Sequence, residues 1–121
     1  MLYVAEVSGK GRGVFTDEAI CAGACFERAP VLVIPLAQWD YIEQTLLSDY
    51  CYGWKQEMAL ALGMGSLYNH SYRPNARYYK NFEGAVMEYV AIRAIAPGEE
   101  ITINYNCDPN DMDPLWFKVI E

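Results

Sequence analysis

The sequence of 121 residues predicts a mainly β domain with short helices. Turn-forming residues recur at short intervals, and the runs between them are rich in β-branched and aromatic residues, which is typical of strands. The clearest turn signals are Ser8-Gly9, Gly11–Gly13, Ala22-Gly23, Arg73–Asn75, Glu83-Gly84 and Ala96–Gly98. A chain of this length buries about two thirds of its unfolded surface in one core. We therefore expect a single domain over residues 1–121.

Five runs have the composition of strands. In chain order they are Gly13–Thr16, Cys25–Ile34, Arg77–Phe82, Ala85–Ile92 and Glu100–Tyr105. Polar and apolar residues alternate in the last run, which predicts that Ile101, Ile103 and Tyr105 share one face.

Two segments favour helix instead. An apolar stripe at spacings of three and four is formed by Trp39, Ile42, Leu46 and Tyr50. This stripe predicts an amphipathic helix over Ala37–Asp49. Lys55–Leu62 is rich in good helix formers and precedes Gly63 and Gly65, so it predicts a second short helix.

Charge and hydropathy narrow the class of partner. The net charge is −7, and six of the seven charged residues from position 99 onward are acidic. Such a surface repels nucleic acid phosphates and attracts basic peptides, although a solvated acidic face has the same composition. Because the surface is acidic, we expect no nucleic acid partner. No apolar run approaches the roughly 20 residues of a membrane span, so we expect no membrane partner.

The cysteines and the histidine do not form a metal-binding pattern. Cys21, Cys25, Cys51 and Cys107 contain no Cys-x-x-Cys pair, and His70 is the only histidine. We expect free thiols, as in an intracellular protein, and no metal cofactor. A nucleus, a bacterial cytoplasm or export into a host cell would all fit.

Two motifs indicate a ligand site. Asn69-His70 follows the apolar run Met58–Tyr68 directly, and buried Asn and His side chains need partners that a ligand can supply. Gly9, Gly11 and Gly13 occupy every second position, which suits a backbone that approaches a ligand closely. A hairpin turn without a ligand would use the same glycines.

Three segments together resemble the SET domain: Gly9–Phe15, Asn69–Asn75 and Gly98–Tyr105. The resemblance extends from about Val4 to Phe117. It implies a SET fold, in which small curved β-sheets surround a C-terminal pseudoknot. It also implies transfer of a methyl group from S-adenosylmethionine to a lysine side chain of a protein.

The resemblance assigns roles to particular positions. The residues that it implies for the cofactor are Gly11, Arg12, Gly13, Asn69, His70, Tyr105 and Trp116. Tyr105 is the implied catalytic residue, and it forms the substrate channel with Tyr50 and Ile103. Tyr52 is the alternative to Tyr50 as a channel residue, and Phe117 is the alternative to Trp116 as the residue that covers the adenine.

The chain departs from the family pattern in two places. Cys107 stands alone where many members carry a zinc-binding Cys-x-Cys segment, so the ending resembles the short form without zinc. Ile103 occupies a position where many members carry Phe or Tyr, and the number of methyl groups added is therefore not readable.

The expected substrate is a protein with a basic, lysine-containing segment, such as a histone tail. Two alternatives stay open: a methyltransferase that acts on a non-histone protein, and a SET-like module that binds a peptide or the cofactor without catalysis. Small stand-alone SET proteins can dimerise, so the resemblance also allows a homodimer.

Overall fold

The computed structural model describes every residue from Met1 to Glu121. It contains nine β-strands, one α-helix and one 3-10 helix. The strands are β1 (Leu2–Val7), β2 (Gly11–Thr16), β3 (Cys25–Ile34), β4 (Tyr52–Trp54), β5 (Glu57–Ala61), β6 (Asn69–His70), β7 (Ala76–Asn81), β8 (Val86–Ala91) and β9 (Glu100–Ile103). The helix α1 spans Leu36–Glu43, and the 3-10 helix spans Leu46–Tyr50. The predicted mainly β class is confirmed.

The strands form two sheets. The first has the order β1-β2-β9-β6, and the second has the order β4-β5-β3-β8-β7, so that β4 and β7 are its outer strands. All pairs are antiparallel except β6 with β9, which is parallel and aligns Asn69 with Thr102 and His70 with Ile103. The predicted pseudoknot around this pair stays a prediction.

Both sheets contribute to one hydrophobic core. Val14, Ile101 and Ile103 of the first sheet are fully buried, as are Met87 and Tyr89 of the second. Ile101 and Ile103 anchor β9 in this core between β2 and β6. The core therefore sets the position at which the segment after β9 begins.

The strand predictions are confirmed for β3, and for β7 and β8 to within one residue at each end. The prediction that the last strand continues to Tyr105 is wrong, because β9 ends at Ile103. Asn104 turns the chain: its side chain accepts a hydrogen bond from the Asn106 amide and donates one to the Asp111 carbonyl. Tyr105 therefore lies in a loop.

The predicted helix over Lys55–Leu62 is wrong. This segment is the second half of a hairpin, in which Lys55 turns the chain with φ 55° and β5 follows. The alternation in β5 buries Ala59 and Ala61, which pair with Val33 and Val31 of β3. A sheet partner on a buried face outweighs the small differences in helix propensity between these residues.

The predicted helix over Ala37–Asp49 is correct in part. The chain breaks at Thr45, whose hydroxyl donates to the Ile42 carbonyl and accepts from the Leu47 amide. Neither α1 nor the 3-10 helix contains a buried residue, and Leu46 is 71% exposed. The predicted apolar stripe therefore does not pack into the core. No helix is long and apolar enough to span a bilayer.

Candidate active site

Tyr105 lies where three concave regions meet. The tyrosine cavity, of about 220 Å³, is lined mainly by Tyr50, Tyr52, Tyr68, Tyr78, Tyr105 and Trp116. The glycine cleft, of about 560 Å³, is lined by Gly11, Arg12, Asn69, Tyr105, Trp116 and Phe117 among others. The histidine pocket, of about 180 Å³, is lined by Lys10, Asn69, His70, Tyr105, Phe117 and Lys118 among others. Tyr105 thus contributes to the walls of all three regions.

Hydrogen bonds hold Tyr105 at both ends. Its amide donates to Nδ1 of His70 at 2.9 Å, and its hydroxyl donates to the Tyr68 carbonyl at 2.6 Å. Burial raises the pKa of Tyr105 to about 12, with smaller contributions from Tyr50 and Glu100. The phenol is therefore neutral at physiological pH and acts as a hydrogen-bonding group.

Three further tyrosines of the cavity, Tyr52, Tyr68 and Tyr78, are also neutral and hydrogen-bonded. The Tyr52 hydroxyl donates to the Gly65 carbonyl at 2.7 Å, and the Tyr78 hydroxyl donates to the Tyr105 carbonyl at 3.3 Å. Burial raises the pKa of Tyr52, Tyr68 and Tyr78 well above the ordinary value for a phenol. Aromatic side chains thus form much of the cavity wall, and none of these phenols carries a charge. Asp49 and Lys80 are the charged residues of the wall.

His70 is 3% exposed and carries an unpaired polar atom. Because Nδ1 accepts from the Tyr105 amide, the neutral ring carries its proton on Nε2. Nε2 is buried without a hydrogen-bond partner. Burial lowers the pKa of His70, and the effects of Glu121 and Lys10 oppose each other. A neutral, unpaired N–H group in a pocket wall requires an acceptor, which a ligand can supply.

Asn69 ties the glycine turn to β9. Its amide nitrogen donates to the Arg12 carbonyl at 2.9 Å and to the Glu100 carboxylate at 2.7 Å. Gly11 has a φ of 79°, a conformation that favours glycine. A Cβ on Gly13 would lie 2.8 Å from Nδ2 of Asn69, so only glycine fits behind this side chain.

Both aromatic candidates of the C-terminal segment are at the site. Trp116 is stacked on Tyr105, with ring centroids 6.1 Å apart, and it is 64% exposed. Phe117 contacts His70 and Tyr105 edge to face. Trp116 lines the glycine cleft and the tyrosine cavity, and Phe117 lines the glycine cleft and the histidine pocket.

The structure brings most of the predicted residues together. Tyr50 and its competitor Tyr52 both line the tyrosine cavity. Ile103 does not, because its side chain is fully buried in the core. Sequence analysis missed Tyr68 and Tyr78 as wall residues. Two signals could have found them. Tyr68 directly precedes Asn69, and Tyr78 lies in a strand on the face opposite to that of its neighbour Tyr79.

The four cysteines are free thiols, and no three His, Cys, Asp or Glu side chains cluster in a way that could hold a metal ion.

Comparison with known proteins identifies this arrangement. The SET-domain family model matches residues 11–106. The histone-lysine N-methyltransferase, H3 lysine-37 specific, of Schizosaccharomyces pombe is 36% identical over 119 residues, which cover 97% of this chain and 77% of the relative. A crystal structure of a candidate histone methyltransferase from Plasmodium falciparum is 33% identical, with a TM-score of 0.70 over 87% of this chain and 96% of that chain. The chain therefore belongs to the SET-domain family of protein-lysine N-methyltransferases.

Proposed function

We propose that this chain transfers methyl groups from S-adenosylmethionine to a lysine of histone H3. The observation that carries the proposal is the position of Tyr105 in the walls of both the glycine cleft and the tyrosine cavity. A donor in the cleft and a lysine side chain in the cavity would meet at this residue.

The glycine cleft and the histidine pocket fit the methyl donor. The cleft volume of about 560 Å³ lies in the range of small-molecule sites. The Nε2 hydrogen of His70 would pair with an acceptor nitrogen, a type of atom that an adenine ring carries. Both hydrogens of the Asn69 amide are engaged, so its oxygen is the atom that can accept from an amino group. When bound, S-adenosylmethionine supplies an electrophilic methyl group on a positively charged sulfur.

We propose Gly11, Arg12, Gly13, Asn69, His70, Tyr105 and Trp116 as the donor-binding residues. Gly13 acts indirectly, because it leaves room for Asn69.

The tyrosine cavity fits the acceptor lysine. A lysine ammonium, with an ordinary pKa of about 10.4, has no lone pair at neutral pH. An aromatic wall of neutral phenols removes water from that ammonium and favours its uncharged form. We propose Tyr50 and Tyr105 as channel residues, together with Tyr52. Ile103 supports the channel only from the core behind it.

Tyr105 would act through position and polarity. Its hydroxyl already donates to the Tyr68 carbonyl, and these two oxygens form a polar edge beside the cavity. Because its pKa is about 12, Tyr105 is not ionised at neutral pH and is unsuited to be a general base. Alignment of two bound reactants contributes up to roughly 7–11 kcal/mol, so positioning is a sufficient role.

Histone H3 is favoured among protein substrates by the Schizosaccharomyces pombe relative, which is specific for H3 lysine-37. The net charge of −7 also suits a basic tail. We propose no nucleic acid, membrane or metal partner. A methyltransferase for a non-histone protein is the second candidate, because the geometry of the site does not depend on the identity of the acceptor protein.

Two further proposals concern the molecule as a whole. We propose that residues 1–121 form a single SET domain, since one buried cluster joins both sheets. We also propose a homodimer, for which the exposed apolar side chains of α1 and the 3-10 helix, Leu36 and Leu46, offer surface. Light scattering of the purified protein measures its mass, and a monomer at all accessible concentrations would contradict the dimer.

The test of function is transfer of labelled methyl groups to core histones and to an H3 peptide that contains lysine-37. We expect label on H3, and a fall of about 10²-fold or more in kcat for Tyr105→Phe with donor binding retained. Tyr41→Phe is the matched control, because Tyr41 is 76% exposed and lies outside the three regions. Label on another protein of a cell lysate but not on H3 would establish the non-histone alternative. No transfer at all by a folded, donor-binding protein would indicate a binding module.

A further inference from the structure

Lys80 lies on the wall of the tyrosine cavity, although neither the family match nor the proposed mechanism assigns it a role. It is half-buried and follows Tyr78 by two residues in β7, so both side chains are on the same face of the strand. The Tyr78 hydroxyl lies 3.3 Å from the Tyr105 carbonyl. The face of β7 that carries Lys80 therefore adjoins the proposed catalytic residue.

The Lys80 ammonium lies close to β4, which also lines the cavity. Its Nζ lies 3.8 Å from the point that a Cβ on Gly53 would occupy. β4 and β7 are the outer strands of the same five-stranded sheet, and the cavity opens between them. The side chain thus forms part of the wall around the space proposed for the acceptor lysine.

No carboxylate holds Lys80 in this position. The four ion pairs of the chain do not include it, and its ammonium donates no hydrogen bond to another residue. Asp49, which also lines the cavity, forms none of these ion pairs. Lys80 is consequently free to rotate on its flexible four-carbon stem.

The other three lysines have different environments. Lys55 lies 4.9 Å from the centroid of the Phe82 ring, on the turn before β5. Lys10 and Lys118 line the histidine pocket on the donor side. Lys80 is the one lysine of the chain that lines the tyrosine cavity.

We propose that Lys80 is a self-methylation site, modified by the active site of its own chain. The proposal rests on the proposed function, since it uses the same donor and the same cavity. A tethered nucleophile needs no encounter with a second molecule, and orientation of this kind corresponds to a high effective concentration. Lys80 already lines the cavity proposed for the acceptor, so no second molecule has to enter that cavity.

The step balances without another reactant. The Lys80 ammonium first gives one proton to water. The Nζ lone pair then forms a bond to the methyl carbon while the bond from that carbon to sulfur breaks. The bonding pair stays on sulfur, so S-adenosylhomocysteine leaves as a neutral thioether. The methylated lysine regains a positive charge, which methylation preserves.

The experiment incubates the purified protein with S-adenosylmethionine that carries a deuterated methyl group, in the absence of histone. Intact mass and peptide mapping then locate the label, which is distinct from any methylation acquired during expression. We expect label on Lys80, loss of that label to background in Lys80→Arg, and retention in the matched control Lys55→Arg. Thermal unfolding and donor binding of Lys80→Arg show that this variant is folded.

A dilution series below the concentration at which light scattering shows a monomer separates transfer within the chain from transfer between copies. We expect the rate per molecule to stay constant over a tenfold dilution. A rate per molecule that falls in proportion to concentration would overturn the intramolecular proposal.

A parallel reaction with H3 separates the two hypotheses. If H3 is labelled and Lys80 is not, self-methylation at Lys80 is overturned and the proposed function stays intact. The same conclusion holds if H3 is labelled and the chain itself carries label only on Lys10, Lys55 or Lys118. Label on neither H3 nor Lys80 overturns both.

Discussion

Tyr105 and His70 form a small polar unit where the tyrosine cavity, the glycine cleft and the histidine pocket meet. The Tyr105 amide occupies Nδ1 of His70, which leaves the Nε2 hydrogen for a ligand. The Tyr105 hydroxyl is directed to the Tyr68 carbonyl by its hydrogen bond. At the scale of single residues, Tyr105 therefore links the glycine cleft, proposed for the methyl donor, with the tyrosine cavity, proposed for the acceptor lysine.

Asn69→Ala should weaken binding of the donor product S-adenosylhomocysteine by about tenfold, because Asn69 is a half-buried polar partner and loss of such a partner costs roughly 1–3 kcal/mol. The substitution also releases the Arg12 carbonyl and the Glu100 carboxylate from their shared donor. Isothermal titration calorimetry measures the affinity. Asn81→Ala is the control, since Asn81 ends β7 outside the three regions, and its side chain accepts from the Gly84 amide. Equal affinities in the two variants would contradict the placement of the donor.

At the scale of elements, the site depends on the close approach of β2 to β6 and β9. A Cβ on Gly13 would lie 2.8 Å from both the Asn69 amide nitrogen and the Val7 side chain, and still closer to the Glu100 carboxylate. The missing side chain thus leaves room where four strands meet: β1, β2, β6 and β9.

Gly13→Ala should lower the free energy of unfolding by about 1–3 kcal/mol, as overpacking generally does, and should also weaken donor binding. Urea unfolding measures the first effect and calorimetry the second. Gly53→Ala is the matched control for stability, because its added Cβ would meet only Nζ of Lys80, at 3.8 Å. If Gly13→Ala were as stable as Gly53→Ala, the packing argument would fail.

The C-terminal segment supplies the aromatic cover of the cleft. Trp116→Ala should weaken donor binding by about tenfold, since aromatic stacking contributes roughly 0.5–1.5 kcal/mol beyond area burial. Met112→Ala is the control within the same segment, because Met112 is 67% exposed and lines none of the three regions. Wild-type affinity in Trp116→Ala together with reduced affinity in Phe117→Ala would move the role to Phe117.

At the scale of the whole molecule, buried phenols should limit stability in alkali. Burial raises the pKa of five tyrosines: Tyr52, Tyr68, Tyr78, Tyr89 and Tyr105. In the unfolded chain a tyrosine ionises near pH 10. Above that pH the unfolded state releases protons that the folded state keeps, so stability is fully present below about pH 10 and is lost as pH rises.

Urea midpoints at pH 8, 10 and 11 test this prediction. Each tyrosine contributes a slope of up to about 1.4 kcal/mol per pH unit above pH 10. Tyr89→Phe should reduce the slope, whereas Tyr41→Phe should not, because Tyr41 is exposed. A midpoint that is independent of pH up to pH 11 would contradict the burial of these phenols.

Several features were readable from the residues alone. Strand periodicity located β3, β7 and β8, because alternation and β-branched composition act locally. The motif around Asn69 and the tyrosine at position 105 identified the family, since both depend on residue type and order.

Other features were decided by tertiary structure. Lys55–Leu62 has helix-forming residues, yet β5 forms because β3 offers a partner and a buried face. The tyrosine cavity joins Tyr50, Tyr78 and Tyr105 from distant parts of the chain, and no local pattern marks them as neighbours. The sequence by itself thus determined the family and the catalytic candidate. Long-range strand pairing decided which tyrosines form the wall and brought Lys80 among them, because such contacts depend on the whole fold.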